Sequence, residues 1–229
     1  FNIRPRMSIV SQRELGIDVA NYEEALKHVV RQDPDVILIG EMRDADTIDT
    51  AMKAAETGHL LISTLHTPDA QSTVMRILAM FPAEEQDAVR VRLAEALHAV
   101  VSQRLLPKKN GHGRVAACEV MIVTSTIRGL MLARDRIGDI RDFIADGREQ
   151  YGMQTFDQHL ADLVSADEVE LDVALAAATK PSDFQLKMKM FRHKSKVVKK
   201  AKEPDEPAPD ETITLSGLDN GFDIMGGKG

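Results

Sequence analysis

The chain has one cysteine, Cys118, among 229 residues. An intrachain disulfide and a cysteine-built zinc site are therefore excluded, and the thiol is expected to act as a small apolar filler. No apolar run approaches the roughly 18 residues that span a bilayer. The opening Phe1-Asn2-Ile3-Arg4 lacks the charged-then-apolar layout of a signal peptide, so the chain reads as cytoplasmic. Basic residues are not in excess: the formal net charge of -7 argues against a general nucleic-acid binder. Also missing is a G-x-x-x-x-G-K-[ST] loop, whose backbone N–H groups would cradle nucleotide phosphates; Gly226-Gly227-Lys228-Gly229 has neither its spacing nor its hydroxyl. There is no internal repeat. The first residue is Phe1 and not Met, which sets the expectation that this sequence is a piece of a longer one. What is present, 43% hydrophobic and 28% charged residues, suits a globular chain of one or two domains.

The first 80 residues alternate between two periodicities. Met7 to Gln12 alternates polar with apolar and predicts a strand. Asn21 as N-cap, acidic Glu23 and Glu24, and helical spacing of Ala25, Leu26, Val29 and Val30 predict a helix that Pro34 stops. Val36-Ile37-Leu38-Ile39 is an unbroken apolar run, the pattern of a parallel strand buried on both faces. Helical spacing of Ile48, Ala51, Met52 and Ala55 follows, with Gly58 placed to end that helix. A second buried strand, Leu60 to Leu65, leads into a helix from Ala70 to Met80. This order predicts an α/β domain with a parallel sheet.

Beyond Pro82 a helix is expected to about His98. Ala99–Leu106 and Val115–Met121 read as strands joined through Pro107-Lys108-Lys109-Asn110-Gly111-His112-Gly113, where the Asn-Gly step marks a hairpin turn. From Ser125 the period is helical, through Ile127, Leu130, Ile137, Ile140, Ile144, Phe156, Leu160, Leu163, Val169 and Ala174. Met121 and Met131 read as core packing. The expected division is an α/β core at 1–125, a helical subdomain at 126–186 and a disordered charged tail at 187–229, since the lysines from 187 to 202 and the acidic, Pro- and Gly-rich end bury too little apolar surface to fold.

The stretch that carries chemistry runs from Arg31 to Asp44, RQDPDVILIGEMRD. It puts an acid, Glu41, at the C-terminal end of a buried strand, where α/β sheets hold their ligands. A carboxylate there suits Mg²⁺ binding and the orientation of an attacking water in phosphoryl transfer. Gly40 would allow close approach of backbone and phosphate, and Arg43 with Asp44 is expected to add a charge pair. On spacing alone, a strand ending in a solvated turn accounts for the pattern equally well. His66 ends the neighbouring strand, where an imidazole could donate to a phosphate oxygen or hold a water. His59 begins that strand and, seven residues away, lies roughly 23 Å from His66 if the chain is extended, so the two cannot reach one phosphate from the strand alone. The same distance disfavours a metal site from His59, His66 and Asp69, and a structural role serves His59 equally well.

Taken whole, the 31–44 string resembles the signature of the secretion-type and pilus-type motor ATPases. Thr57-Gly58-His59-Leu60-Leu61-Ile62-Ser63-Thr64-Leu65-His66-Thr67 is similar to that family's histidine box, and Ser11–Gly16, Arg76–Leu78, Phe81-Pro82, Gly113–Ala117 and Tyr151–Thr155 extend the resemblance from about Ser8 to Met190. Extension and secretion motors of the superfamily usually carry paired cysteines where this chain has Pro107-Lys108-Lys109, which favours the branch that retracts type IV pili. Ile127-Arg128-Gly129-Leu130 resembles that branch's Ala-Ile-Arg-x-Leu segment, with Thr126 in place of the alanine.

The resemblance implies a RecA-like core, ATP and Mg²⁺ as cofactors, and Glu41 as the Walker B acid that is both catalytic and a Mg²⁺ ligand. It implies nucleotide contacts from Gly40, Arg43, His66 and His59. It further implies a homo-hexamer that works with a pilus platform protein at the cytoplasmic face of the inner membrane, attached to it through partners, with no nucleic acid involved. Arginine fingers from a neighbouring subunit are expected in such rings, with Arg13, Arg43 and Arg76 as candidates, although a surface ion pair accounts for any one of them. In that family the phosphate loop precedes the segment that begins at Phe1, so this chain alone is expected neither to bind nor to hydrolyse ATP appreciably. The alternative is a catalytically dead assembly partner of a pilus or secretion motor.

Overall fold

The computed structural model describes residue 3 and residues 5–200, with side chains to residue 190. Residues 7–14 form no strand; Met7 and Ile9 are fully exposed there, and among the described residues no strand pairs with this segment. Helix α1 (Tyr22–Val29) begins where expected, with the Asn21 side chain accepting from the Glu24 amide at 2.8 Å. A single 3₁₀ turn, Val30–Gln32, carries the chain into β1 (Val36–Ile39). Helix α2 (Ala45–Glu56) then crosses to β2 (Leu60–Ser63), and the two strands pair in parallel with Val36 opposite Leu60 and Ile39 opposite Ser63. Gly58, at φ +97°, turns the chain out of α2 in the left-handed region that a side chain rarely enters.

The expectation that these strands are buried on both faces does not hold here. Ile37 and Ile39 pack with Leu26 of α1 and Ala51 and Ala54 of α2, but Val36, Leu38, Leu60 and Ile62 stand about half exposed on the other face, which no described residue covers.

Helices α3 (Ala70–Ala79) and α4 (Gln86–Ala96) lead to an antiparallel hairpin of β3 (Ala99–Pro107) and β4 (Arg114–Ile122), in register from Ala99 opposite Ile122 to Pro107 opposite Arg114. Its turn uses Gly111 and Gly113 at φ +75° and +76°, as the Asn-Gly step leads one to expect. Six helices follow: α5 (Ser125–Leu132), α6 (Ile140–Asp146), α7 (Arg148–Tyr151), α8 (Phe156–Ser165), α9 (Leu171–Ala177) and α10 (Pro181–Lys200). α10 continues through 187–200, where the tail was expected to begin; residues 201–229 lie outside the described ones. The mixed α/β class, a parallel pair plus a hairpin followed by helices, agrees with the sequence reading.

Besides the cluster around Ile37 and Ile39, two larger ones hold the described residues together. One joins α2, α3 and α4 to Met121 of β4 and to Ile127, Leu130, Met131, Ile140 and Ile144 of the helices after it, so it runs across position 125. The other sets Leu106 and Ala117 of the hairpin against Phe156, Leu160, Leu163 and Phe184. Two arginines clasp α4 to α5. Arg90 donates to the Met131 carbonyl and Arg128 to the Ala94 carbonyl, both at 3.0 Å, filling acceptors that helix ends leave without intrahelical partners. No helix among the described residues is long and apolar enough to cross a membrane.

Candidate active site

A parallel pair delivers the residues after both strands to the same end of the sheet, and that end carries the chemistry. Beyond β1 the chain is tied to the chain beyond β2 by two hydrogen bonds, Thr64 Oγ1 to the Gly40 carbonyl at 2.6 Å and the Met42 amide to the Thr64 carbonyl at 3.2 Å. Glu41 and His66 are thereby held face to face, with His66 Nε2 3.5 Å from Glu41 Oε2. That is long for a hydrogen bond, and it sets the imidazole beside the carboxylate at the mouth of the strand pair. The other carboxylate oxygen, Oε1, takes Arg43 Nη2 at 2.5 Å. Glu41 is partly buried with its side chain 27% exposed, whereas His66 is 87% exposed and free to meet a ligand from solvent.

Asp44 does not pair with Arg43 as the sequence suggested. Its carboxylate accepts the Thr47 amide at 2.8 Å and caps α2, which leaves Arg43 to Glu41. Gly40 has ordinary backbone torsions, and a Cβ added there would meet only the Tyr22 hydroxyl at 3.6 Å, so the chain by itself does not demand glycine at this place. His59 sits at the far end of β2. Its Nδ1 lies 3.1 Å from the Ala54 carbonyl and 3.1 Å from Thr57 Oγ1, closing the C-terminus of α2. Of the predicted set, then, Glu41, Arg43 and His66 converge, Gly40 flanks them, and His59 is engaged elsewhere. Arg13, outside any helix or strand, and Arg76 of α3 both lie exposed.

One residue bearing on this site escaped the sequence reading. Glu119 of β4 is 4% exposed, and its Oε1 accepts the Ala70 amide at 2.9 Å, where α3 starts just after the His66 loop. Burial pushes its carboxyl above the usual range, with the charge of Asp69 adding to the rise, against the Ala70 hydrogen bond and the charges of Arg141 and Arg104. A signal was available. Ala117, Glu119 and Met121 share the inward face of β4, and an acid in that alternation is anomalous.

Residues 10–180 match the family model described as type II/IV secretion system protein. Over 176 residues the chain is 46% identical to the type IV pilus retractation ATPase PilT of Pseudomonas aeruginosa, an alignment covering 77% of this chain and 50% of that protein. It is also 46% identical over 164 residues to a twitching motility protein of Neisseria gonorrhoeae, covering 72% of this chain and 43% of the relative. The crystal structure of the pilus retraction motor PilT with bound ADP superposes with a TM-score of 0.66 at 41% identity, over 76% of this chain and 48% of that one. The chain thus spans about half the length of the curated relatives it matches. With the model matched across both the Glu41 strand and the His66 loop, the chain belongs to the type II/IV secretion system protein family.

Proposed function

We propose that the whole protein to which this chain corresponds is a motor ATPase that drives retraction of type IV pili, with Glu41 at the centre of its hydrolytic site. The observation that carries this reading is the meeting of Glu41 and His66 across the ends of two parallel strands, in a chain 46% identical to a pilus retractation ATPase. In the proposed site Glu41 orients the attacking water and His66 donates from Nε2 to a phosphate oxygen. Arg43, 75% exposed, swings from Glu41 to the nucleotide's phosphates, while Gly40 keeps the strand end open to them and His59 acts only through the end of α2.

Mg²⁺ would supply charge neutralisation on the phosphates. The donor chemistry fits in part. Glu41 offers one carboxylate, and Mg²⁺ is commonly held by one or two carboxylates plus substrate phosphates. No group of three or more His, Cys, Asp or Glu side chains among the described residues could hold a metal unaided. The remaining contacts belong to a phosphate loop outside this sequence, and for that reason the chain alone is proposed to be inactive. The same reading makes the working form a homo-hexamer docked on a pilus platform protein at the inner face of the inner membrane.

The test is Mg²⁺-dependent ATP hydrolysis by the longest chain encoded in frame with this one, against Glu41→Gln. Loss of about 100-fold or more in kcat is expected, the lower end for a removed general base. An unaffected Glu41→Gln enzyme would refute the assignment, and a full-length chain without hydrolysis would favour the assembly-partner reading.

A further inference from the structure

We propose that Glu119 is a positioning residue for His66, a role that rests on the reading of His66 as a phosphate-side group. The loop that carries His66 is pinned at two ends. At its start, Thr64 is bonded to Gly40 and Met42, which belong to the Glu41 segment itself. At its other end the chain enters α3, where Asp69 caps the Ser72 amide at 2.7 Å and Thr67 and Thr73 share a hydroxyl contact at 2.7 Å. Those bonds are local to the loop and α3, so they shape the turn without fixing where it stands. The Glu119 carboxylate, 49 residues away in sequence, supplies the directional bond between the loop's end and the hairpin, beside the apolar packing of Ala70 and Val74 with Met121.

The environment makes this bond hard to replace. Ala70 is fully buried, and its amide is among the first four of α3, which have no acceptor within the helix. Water cannot take over, because both partners lie inside the protein. Burying an acid costs free energy unless the site gains an interaction that uses it, and here the interaction is a single hydrogen bond at the base of the His66 loop. Only three residues, 67 to 69, separate His66 from this anchor. A shift of Ala70 by an ångström or so therefore moves His66 off Glu41, the kind of misplacement that costs a catalytic site about 100-fold.

Two substitutions probe the bond from opposite sides. Glu119→Leu removes the acceptor. Ala70→Pro removes the donor at the first helical position, where proline's φ suits the helix and Asp69 before it is already extended, and its ring carbon pushes the Glu119 carboxylate away. Glu119→Gln keeps a carbonyl oxygen that accepts the Ala70 amide. The first readout is the ¹H–¹⁵N spectrum of the 229-residue chain. Glu119→Leu and Ala70→Pro should both shift the resonances of Glu41, Arg43 and His66, Glu119→Leu should speed Ala70 amide exchange at least tenfold, and Glu119→Gln should do neither. The second is ATP hydrolysis by the longest encoded chain, where Leu and Pro should lower kcat tenfold or more with KM within twofold, and Gln should restore it. If Ala70 exchange rises while Glu41 and His66 stay unmoved, Glu119 is only a helix cap and the proposal fails. It fails too if Gln behaves as Leu. The spectra need no nucleotide, so absence of hydrolysis would count against the motor reading alone.

Discussion

Asp157 offers the sharpest test of how the C-terminal helices are held. Its carboxylate, 14% exposed at the start of α8, accepts the Thr179 amide at 2.7 Å, the Lys180 amide at 3.2 Å and Arg141 Nη2 at 3.0 Å. It thus ties α6 and the link between α9 and α10 to α8. Replacing it with alanine removes three charge-assisted hydrogen bonds. The two amides lie at exposed residues where water substitutes, so each bond is worth about 1 kcal/mol, near the low end of the usual range. Arg141, 24% exposed, loses its partner at a similar cost after discount for solvent screening. The sum is about 2–4 kcal/mol, which for a unit of this size lowers Tm by roughly 4–16 °C. Asp157→Asn keeps one acceptor without the charge and should lose about half as much. Thermal melts by circular dichroism at pH 7 measure both. Repeating them in 1 M salt separates hydrogen bonding from long-range attraction, since the Debye length there is only about 3 Å. More than half of the difference should survive the salt. An alanine variant melting within about 2 °C of the parent would refute this account of the C-terminal helices.

Other outcomes follow from single contacts. Because Glu119 has a raised carboxyl pKa, the folded chain binds more protons than the unfolded one, so its contribution to stability is present below about pH 4.3 and is lost as pH rises through the folded value. Glu119→Gln should abolish that slope in denaturant titrations across this range, and an unchanged slope would refute the burial argument. Asp49 behaves oppositely. Burial works to raise its carboxyl, but hydrogen bonds from Arg92 and Lys53 outweigh this and hold it below the usual value, so its contribution is present above about pH 3.9 and lost as pH falls. Arg92→Gln should therefore cost about 1 kcal/mol at pH 7 and little at pH 2.5, by urea unfolding at both pH values. Arg128→Ala strips the Ala94 carbonyl of its donor and should cost about 1–3 kcal/mol by the same measurement, whereas Arg13→Ala, at an exposed place, should cost less than about 0.5 kcal/mol.

Local chemistry carried much of the fold into plain view. Asn21, Glu23 and Glu24 mark the start of α1, Gly58 marks the end of α2, and Asn110-Gly111 marks the hairpin turn, because each answers a need of the backbone within a few residues of itself. Asp44 shows the limit of that approach. Its charge suggested a partner for Arg43, but the free amides of α2 lie closer and take it first. Residues 7–12 show another limit. Their alternation suits a strand, yet a strand exists only when a second one pairs with it, and none does among the described residues.

By itself the sequence determined the order of helices and strands from α1 onward, the family signature around Glu41, and the placing of Glu41 and His66 at the ends of successive strands. These rest on periodicity and capping, which act over short spans of chain. Tertiary structure alone decided which oxygen of Glu41 faces Arg43 and which faces His66, that His59 closes α2 instead of joining them, and that Glu119 reaches the base of the His66 loop. Each of those facts depends on the register of β1 with β2, or of β3 with β4 beneath α3. Register is set by how whole faces bury against one another, so residues 49 apart come to share one hydrogen bond that no local pattern announces.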